Sequence, residues 1–114
     1  MNLVPEHWQA DAGDADIATL DIPPALGRPR RFRVDVRFVV TGPADGTPAW
    51  HAMTVEANGR REWQRRIATH GESDSLDYAF GADVPPGAAL RVRALTQVHR
   101  AVVRRRLRIE ATEQ

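Results

Sequence analysis

The chain has 114 residues, of which 42% are hydrophobic and 27% charged, and its formal net charge is +1. This is the size and composition of one folded domain and excludes a disordered chain, while the lack of cysteine excludes disulfides and thiolate metal sites. No segment approaches the roughly 18 apolar residues of a membrane helix and the first residues do not resemble a signal peptide, so we expect a cytoplasmic protein without a membrane partner.

The N-terminal third of the chain predicts an arm followed by two strands. Residues 1–15 are acidic and show no regular alternation, so we expect a loosely ordered arm that only Trp8 anchors, with residues 16–114 as a single domain. A short strand at 18–22 precedes a loop rich in proline and glycine. Residues 31–41 then alternate between hydrophobic and mostly charged side chains, which is the period of a strand with one solvated face.

A hairpin is predicted in the middle of the chain. Asn58-Gly59 supplies the two residues of positive φ that a type I′ turn requires, and strand-like residues flank it on both sides. A regular two-residue hairpin then places Trp50 and Trp63 on the same face. We expect the opposite face to be the more solvated one; it carries His51, Met53 and Val55.

Three further strands are predicted in the last third of the chain. Residues 76–80 alternate before a Pro-Pro-Gly turn at 85–87, and the alternation resumes over 90–98 and over 106–111. We expect the last two strands to form a terminal hairpin; a short helix between them is the less favoured alternative because β-branched residues occur there. About seven strands without an amphipathic helix predict an all-β, single-domain antiparallel β-sandwich, with a small β-barrel as the alternative.

Two stretches of the sequence resemble fibronectin type III modules. Residues 84–94, VPPGAALRVRA, are similar to the corner turn and following strand of that family, with Leu90 in the place of its corner tyrosine. The stretch from Trp50 through Trp63 to Tyr78 resembles that family's middle strands. The resemblance covers about half of the chain and implies an immunoglobulin-like sandwich that binds or spaces other domains, with no catalytic residue.

Charge is segregated along the chain. All sixteen basic residues are arginine. Residues 1–27 carry a formal charge of −5 and residues 71–90 one of −4, whereas residues 28–70 and 91–114 each carry +5. The absence of lysine is typical of a GC-rich bacterial genome, although arginine is also the residue that binds phosphate and carboxylate in bidentate fashion.

The arginine blocks predict two basic surfaces. If the last two strands pair, a basic stripe crosses the terminal hairpin, and we predict that this stripe is an interaction surface. Its members are Arg91, Arg93, Arg104, Arg105, Arg106 and Arg108. A second basic face is predicted on the strand at 31–41, with Arg31, Arg33 and Arg37.

No residue pattern predicts catalysis, and we expect no cofactor. The four histidines do not stand at metal-ligand spacing, so we expect them to be partly exposed. Asp11, Asp14 and Asp16 are dense enough for calcium but fit no EF-hand loop, so we expect a solvated acidic segment that lies against an arginine face. Ser73 and Ser75 are the only serines, and neither lies in a nucleophile elbow.

These observations favour a small, non-catalytic bacterial β-sandwich protein. We expect it to act as a protein-interaction or assembly module through charged strand faces or an exposed sheet edge, with another protein or its own copy as partner. The alternative is a nucleic acid or other polyanion bound by the arginine stripes. An enzyme is less favoured, because it requires a deep pocket lined by residues such as His51, His70, Asp74 or Asp77.

Overall fold

The computed structural model describes residues 4–114, and these residues form eight strands and no helix. In chain order the strands are β1 (His7–Asp11), β2 (Ile17–Ile22), β3 (Arg30–Thr41), β4 (Trp50–Ala57), β5 (Arg60–Ala68), β6 (Asp74–Val84), β7 (Leu90–Val98) and β8 (Val103–Glu113). The prediction of an all-β chain is confirmed. Over the described range, no helix is long and apolar enough to cross a membrane.

The strands form two four-stranded antiparallel sheets packed face to face. Sheet A has the order β1-β8-β3-β6, and sheet B has the order β2-β7-β4-β5. Around the β4–β5 hairpin the pairs are nested: β3 pairs with β6, β2 with β7 and β1 with β8. This is the connectivity of a jelly-roll sandwich, and it differs from the strand order of immunoglobulin-type sandwiches. The predicted sandwich is confirmed, and the sheets do not close into a barrel.

Alternation along the strands builds the core between the sheets. The side chains of β2, β3, β7 and β8 that point into the core are those that the sequence pattern predicts, and they are almost completely buried. The largest of these side chains are the phenylalanines of β3, each of which contributes about 2 to 3 kcal/mol by its burial. The row on β3 consists of Phe32, Val34, Val36, Phe38 and Val40.

The central hairpin has the predicted turn but not the predicted faces. Asn58 and Gly59 both have positive φ, 50° and 80°. A β-bulge between Val55 and Glu56 then shifts the register, so that Val55 pairs with Trp63 instead of Glu62. The face expected to be solvated is therefore the core face, and Trp63 lies on it. His51, Met53 and Val55 are buried.

The predicted terminal hairpin is wrong. β7 lies in sheet B between β2 and β4, and β8 lies in sheet A between β1 and β3. A short turn, in which the Val102 amide donates to the His99 carbonyl (2.9 Å), carries the chain from one sheet to the other. Each strand buries its hydrophobic row against the opposite sheet, so the two rows face each other across the core instead of lying side by side in one sheet.

Most of the predicted loose arm is part of the fold. Residues 1–3 of that arm lie outside the described residues, but His7–Asp11 is a strand paired along its whole length with β8. Beside it, Glu6 binds the guanidinium groups of Arg28 (2.6 Å) and Arg30 (2.8 Å), and Arg28 also binds Glu113 (2.6 Å). The expectation of a loosely held arm overlooked Glu6, whose partners come from distant parts of the chain.

Candidate interaction surface

The arginines of the predicted stripe lie on both sheets of the sandwich. Arg91 and Arg93 belong to β7 in sheet B, whereas the arginines between residues 104 and 108 belong to β8 in sheet A. The structure therefore does not bring the six together into a continuous stripe. The cause is the separation of β7 from β8, because the stripe depended on the pairing of these two strands.

Arg91 and Arg93 line a shallow groove at one end of sheet B, and both are ion-paired. Arg91 binds Asp21 at 2.6 Å, and this hydrogen bond raises the pKa of the guanidinium. Arg93 approaches Glu56 at 3.8 Å. The groove has a volume of about 750 Å³ and its walls carry as many carboxylates as arginines. The arginines there are thus neutralised within the molecule and offer no net positive field.

Most of the other predicted arginines are also paired with carboxylates. On β8, Arg106 binds Asp11 (3.0 Å) and Arg108 binds Glu110 (2.5 Å). Arg104 donates to the Thr96 side chain and carbonyl, and Arg105 donates to the Thr41 hydroxyl. The second basic face is neutralised in the same way, by the pairs Arg31–Asp83, Arg33–Asp35 and Arg37–Asp77.

Of the three aspartates of the acidic N-terminal segment, Asp11 forms an ion pair with an arginine, Arg106 (3.0 Å). The Asp11 carboxylate accepts hydrogen bonds from the Gly13 amide and from Arg106, and the Gly13 bond is the larger cause of its lowered pKa. Residues 4–114 contain no group of three or more His, Cys, Asp or Glu side chains arranged to hold a metal ion.

Strand β5 carries the largest group of arginines without an ion-pair partner in the structure. It is one of the two edge strands of sheet B, and most of its residues are exposed. No carboxylate of the described residues forms an ion pair with any of its four arginines, and Glu62 is the one acidic residue of the strand. The four are Arg60, Arg61, Arg65 and Arg66. In the sequence, the pattern of two arginine pairs around one tryptophan was available as a signal, but not the edge position of the strand.

Strand β6 is the corresponding edge of sheet A and has the opposite charge. It carries Asp74, Asp77 and Asp83 and no arginine. Asp77 and Asp83 are more than half exposed, at 53% and 77%. Partial burial disfavours the charged form of Asp74, but hydrogen bonds from the amides of His70 and Ser75 outweigh this and lower its pKa. Asp74 is therefore ionised at neutral pH.

A three-ring aromatic stack lies between these two edges. Trp63 of β5 stacks on Tyr78 of β6 with centroids 4.7 Å apart and planes 9° from parallel. Tyr78 in turn stacks on Phe80 at 5.7 Å. All three rings are partly exposed, because the sandwich is open on this side. We call the surface formed by residues 60–68 and 74–84 the β5–β6 flank.

Beneath the flank, a buried histidine joins the two sheets. His51 of β4 is fully buried, which corrects the expectation of partly exposed histidines. Its Nδ1 lies 2.7 Å from the Thr69 hydroxyl, and its Nε2 lies 3.2 Å from the Ser75 carbonyl. Because a carbonyl only accepts, Nε2 donates to Ser75, and in the neutral ring Nδ1 then accepts from the Thr69 hydroxyl. Both ring nitrogens have hydrogen-bond partners inside the fold, and the buried ring of His51 is not exposed to a substrate.

Comparison with known proteins adds information about the fold alone. No protein-family model matches the sequence, and no curated protein matches it. The solved structures with a similar fold include dimeric latent PorU from Porphyromonas gingivalis, with a TM-score of 0.60 and 12% identity over 96% of this chain. They also include the mosquito-larvicidal Cry4Aa toxin from Bacillus thuringiensis, with a TM-score of 0.52 and 10% identity over 90% of this chain. This chain spans 12% of the PorU chain and 18% of the toxin chain.

Proposed function

We propose that this chain is a non-catalytic interaction module that binds its partner through the β5–β6 flank. The observation that carries the proposal is the concentration of four arginines without ion-pair partners on one open sheet edge. Elsewhere on the sandwich, arginine is mostly neutralised by a neighbouring carboxylate, so the flank is where positive charge remains available to a second molecule.

The chemistry of the edge indicates an extended, acidic partner. An edge strand presents a row of unpaired backbone N–H and C=O groups, which a second strand satisfies by adding to the sheet. Arginine on that strand binds carboxylates through two parallel hydrogen bonds. The partly exposed Trp63 and Tyr78 add apolar area beside the edge, of the kind that aromatic residues supply at interfaces.

The test is binding of a defined acidic probe. The probe is a fluorescein-labelled ten-residue peptide of alternating Glu and Val, followed by fluorescence anisotropy. The wild-type chain is expected to bind, and the variant Arg61→Glu/Arg65→Glu is expected to bind at least about tenfold more weakly, a loss of roughly 1.4 kcal/mol. The matched control is Arg105→Glu/Arg106→Glu, which makes the same change in net charge on β8. Equal binding by both variants would contradict the proposal.

A second candidate function is the binding of a polyanion by the same strand. Four arginines around Trp63 within seven residues are a pattern that also suits phosphates and bases. A labelled duplex DNA in the same assay separates the two functions. Phosphate binding makes affinity fall by about 0.9 log units per log unit of salt for each contact. Tight peptide binding with weak DNA binding excludes this candidate.

A further inference from the structure

We infer that the β5–β6 flank binds a second copy of this chain, flank to flank, about a two-fold axis. The inference rests on the proposed function and names its partner. One flank carries both members of a complementary pair: the edge strand of sheet B is basic, and the edge strand of sheet A is acidic. A second copy of the chain therefore presents an acidic edge to the basic edge of the first copy, and a basic edge to its acidic one.

The charges of the two edges balance. Strand β5, Arg60–Ala68, has a formal charge of +3, and strand β6, Asp74–Val84, has one of −3. Asp77 and Asp83 also pair with arginines of β3, but both carboxylates are more than half exposed, and a carboxylate accepts hydrogen bonds from more than one guanidinium. A two-fold axis along the flank exchanges the positions of the two sheets, so that β5 of each copy lies beside β6 of the other. Both contacts are then attractive, and because they are equivalent the assembly closes as a dimer.

The backbone of both edges is suited to this contact. β5 has nine residues and β6 has eleven, and neither contains proline. The edges on the other side of the sandwich are shorter, with five residues in β1 and six in β2. Short edges are a common protection against pairing, and long edges without proline are the ones that pair. In the dimer each sheet of one copy continues into the opposite sheet of the other.

The aromatic stack supplies the apolar centre of the interface. Trp63, Tyr78 and Phe80 lie between the two edges, so they face the same rings of the partner copy across the axis. A strand of nine residues spans roughly 30 Å and the molecule is 18 Å thick, so the flank offers on the order of 500 Å² per copy. This area is at the lower end of stable interfaces, and an aromatic centre with charged borders is their usual composition.

The test is a charge exchange followed by light scattering and sedimentation equilibrium. The wild-type chain is expected at twice its mass of 12.7 kDa. Arg61→Glu/Arg65→Glu makes both edges acidic, and Asp77→Arg/Asp83→Arg makes both basic, so each variant alone is expected to dimerise at least tenfold more weakly. Mixed together, the two variants restore opposite charges at both contacts and are expected to form a heterodimer. Circular dichroism verifies that each variant is folded.

Several outcomes overturn the inference. Dimers that persist unchanged in both variants place the interface elsewhere, and filaments in place of dimers exclude the closed two-fold arrangement. A wild-type chain that is monomeric up to millimolar concentration also overturns it. The proposed function still stands in that case if the monomer binds the Glu-Val peptide and Arg61→Glu/Arg65→Glu abolishes this binding. A wild-type chain that neither dimerises nor binds the peptide overturns both the inference and the proposed function.

Discussion

Arg30 is a charged side chain held in the interior of this fold. Its side chain is 1% exposed and lies over the ring of Phe32 at 5.4 Å. Its two terminal nitrogens donate to the Glu6 carboxylate and the Pro23 carbonyl, both at 2.8 Å. Its Nε has no hydrogen-bond partner among the described residues. The Glu6 carboxylate is thus the one ionic partner of a buried guanidinium, and its removal leaves a buried charge uncompensated.

The first prediction concerns this pair. Glu6→Ala is expected to lower the free energy of unfolding by about 2 to 3 kcal/mol, because Arg30 then remains buried and unpaired. Arg30→Met, which removes the charge and keeps most of the volume, is expected to cost less than Glu6→Ala. Urea denaturation measures both. A larger loss in Arg30→Met would show that the guanidinium's own hydrogen bonds outweigh the cost of leaving it uncompensated.

The second prediction is a pH dependence that originates at Glu113. Its hydrogen bond from Arg28, and a second one from the Glu6 amide, hold the pKa of this carboxyl below its ordinary value of 4.5. The folded state therefore binds the proton less readily than the unfolded chain. The resulting stability is present above pH 4.5 and is lost as the pH falls through the lowered folded-state pKa.

Glu113→Gln removes this contribution. The variant is expected to be less stable than the wild type at neutral pH, and the difference is expected to shrink as the pH falls below 4.5 and through the lowered pKa of the folded-state carboxyl. Urea midpoints over this pH range measure it. A difference that stays constant with pH would show that the ionised form of Glu113 contributes nothing beyond its hydrogen-bonding shape.

Between β4 and β5, a single extra residue determines which surface the hairpin presents. The bulge at Val55 and Glu56 leaves Glu62 without a partner in β4 and turns Trp63 towards the space between the sheets. There Trp63 stacks on Tyr78, a contact between the edge strands of the two sheets. Without the bulge, the same strand presents Trp63 to solvent and leaves the flank without its aromatic stack.

The third prediction follows from this contact between elements. Trp63→Ala is expected to destabilise the fold by about 2 to 3 kcal/mol, below the cost at a fully buried site because the ring is partly exposed. Trp63→Phe keeps a stacked ring and is expected to lose less than half as much. Thermal unfolding measures both. Equal losses would indicate that the size of the indole, and not its stacking on Tyr78, stabilises the flank.

Strands could be predicted from the sequence where the information is local. The alternation of β3 and of β7 identifies their buried rows, because a period of two depends only on neighbouring residues. The bulge could not be predicted, because an extra residue leaves no local mark. The pairing of β7 and β8 with other strands was also inaccessible, because it depends on the whole topology. Ion pairs such as Arg106 with Asp11 join residues nearly a whole chain apart, which explains why the predicted stripe is neutralised.

At the scale of the whole molecule, the sandwich is elongated. It measures 57 × 26 × 18 Å. A strand of eleven or twelve residues spans roughly 36 to 40 Å, so the long dimension follows the strands. The β5–β6 flank therefore runs along the length of the molecule, and a partner bound there lies side by side with it.

The fourth prediction uses this shape. A flank-to-flank dimer is expected to keep the long dimension of 57 Å and to double approximately the 26 Å width. Small-angle X-ray scattering of the dimer measures the longest distance within the particle. An end-to-end arrangement doubles the long dimension instead, so a scattering profile of that length would contradict docking at the flank whatever the charge variants show.

The nested strand pairing also constrains the order in which the chain folds. β4 and β5 are joined by two residues, whereas β1 and β8 pair although almost the entire chain separates them in sequence. Closing a short loop first lowers the entropy cost of each longer closure that follows. We therefore expect the hairpin to nucleate the fold and the strand containing Trp8 to dock last. A chain with so many distant contacts is expected to fold in milliseconds to seconds. During that time the strand edges that pair last remain open to other chains.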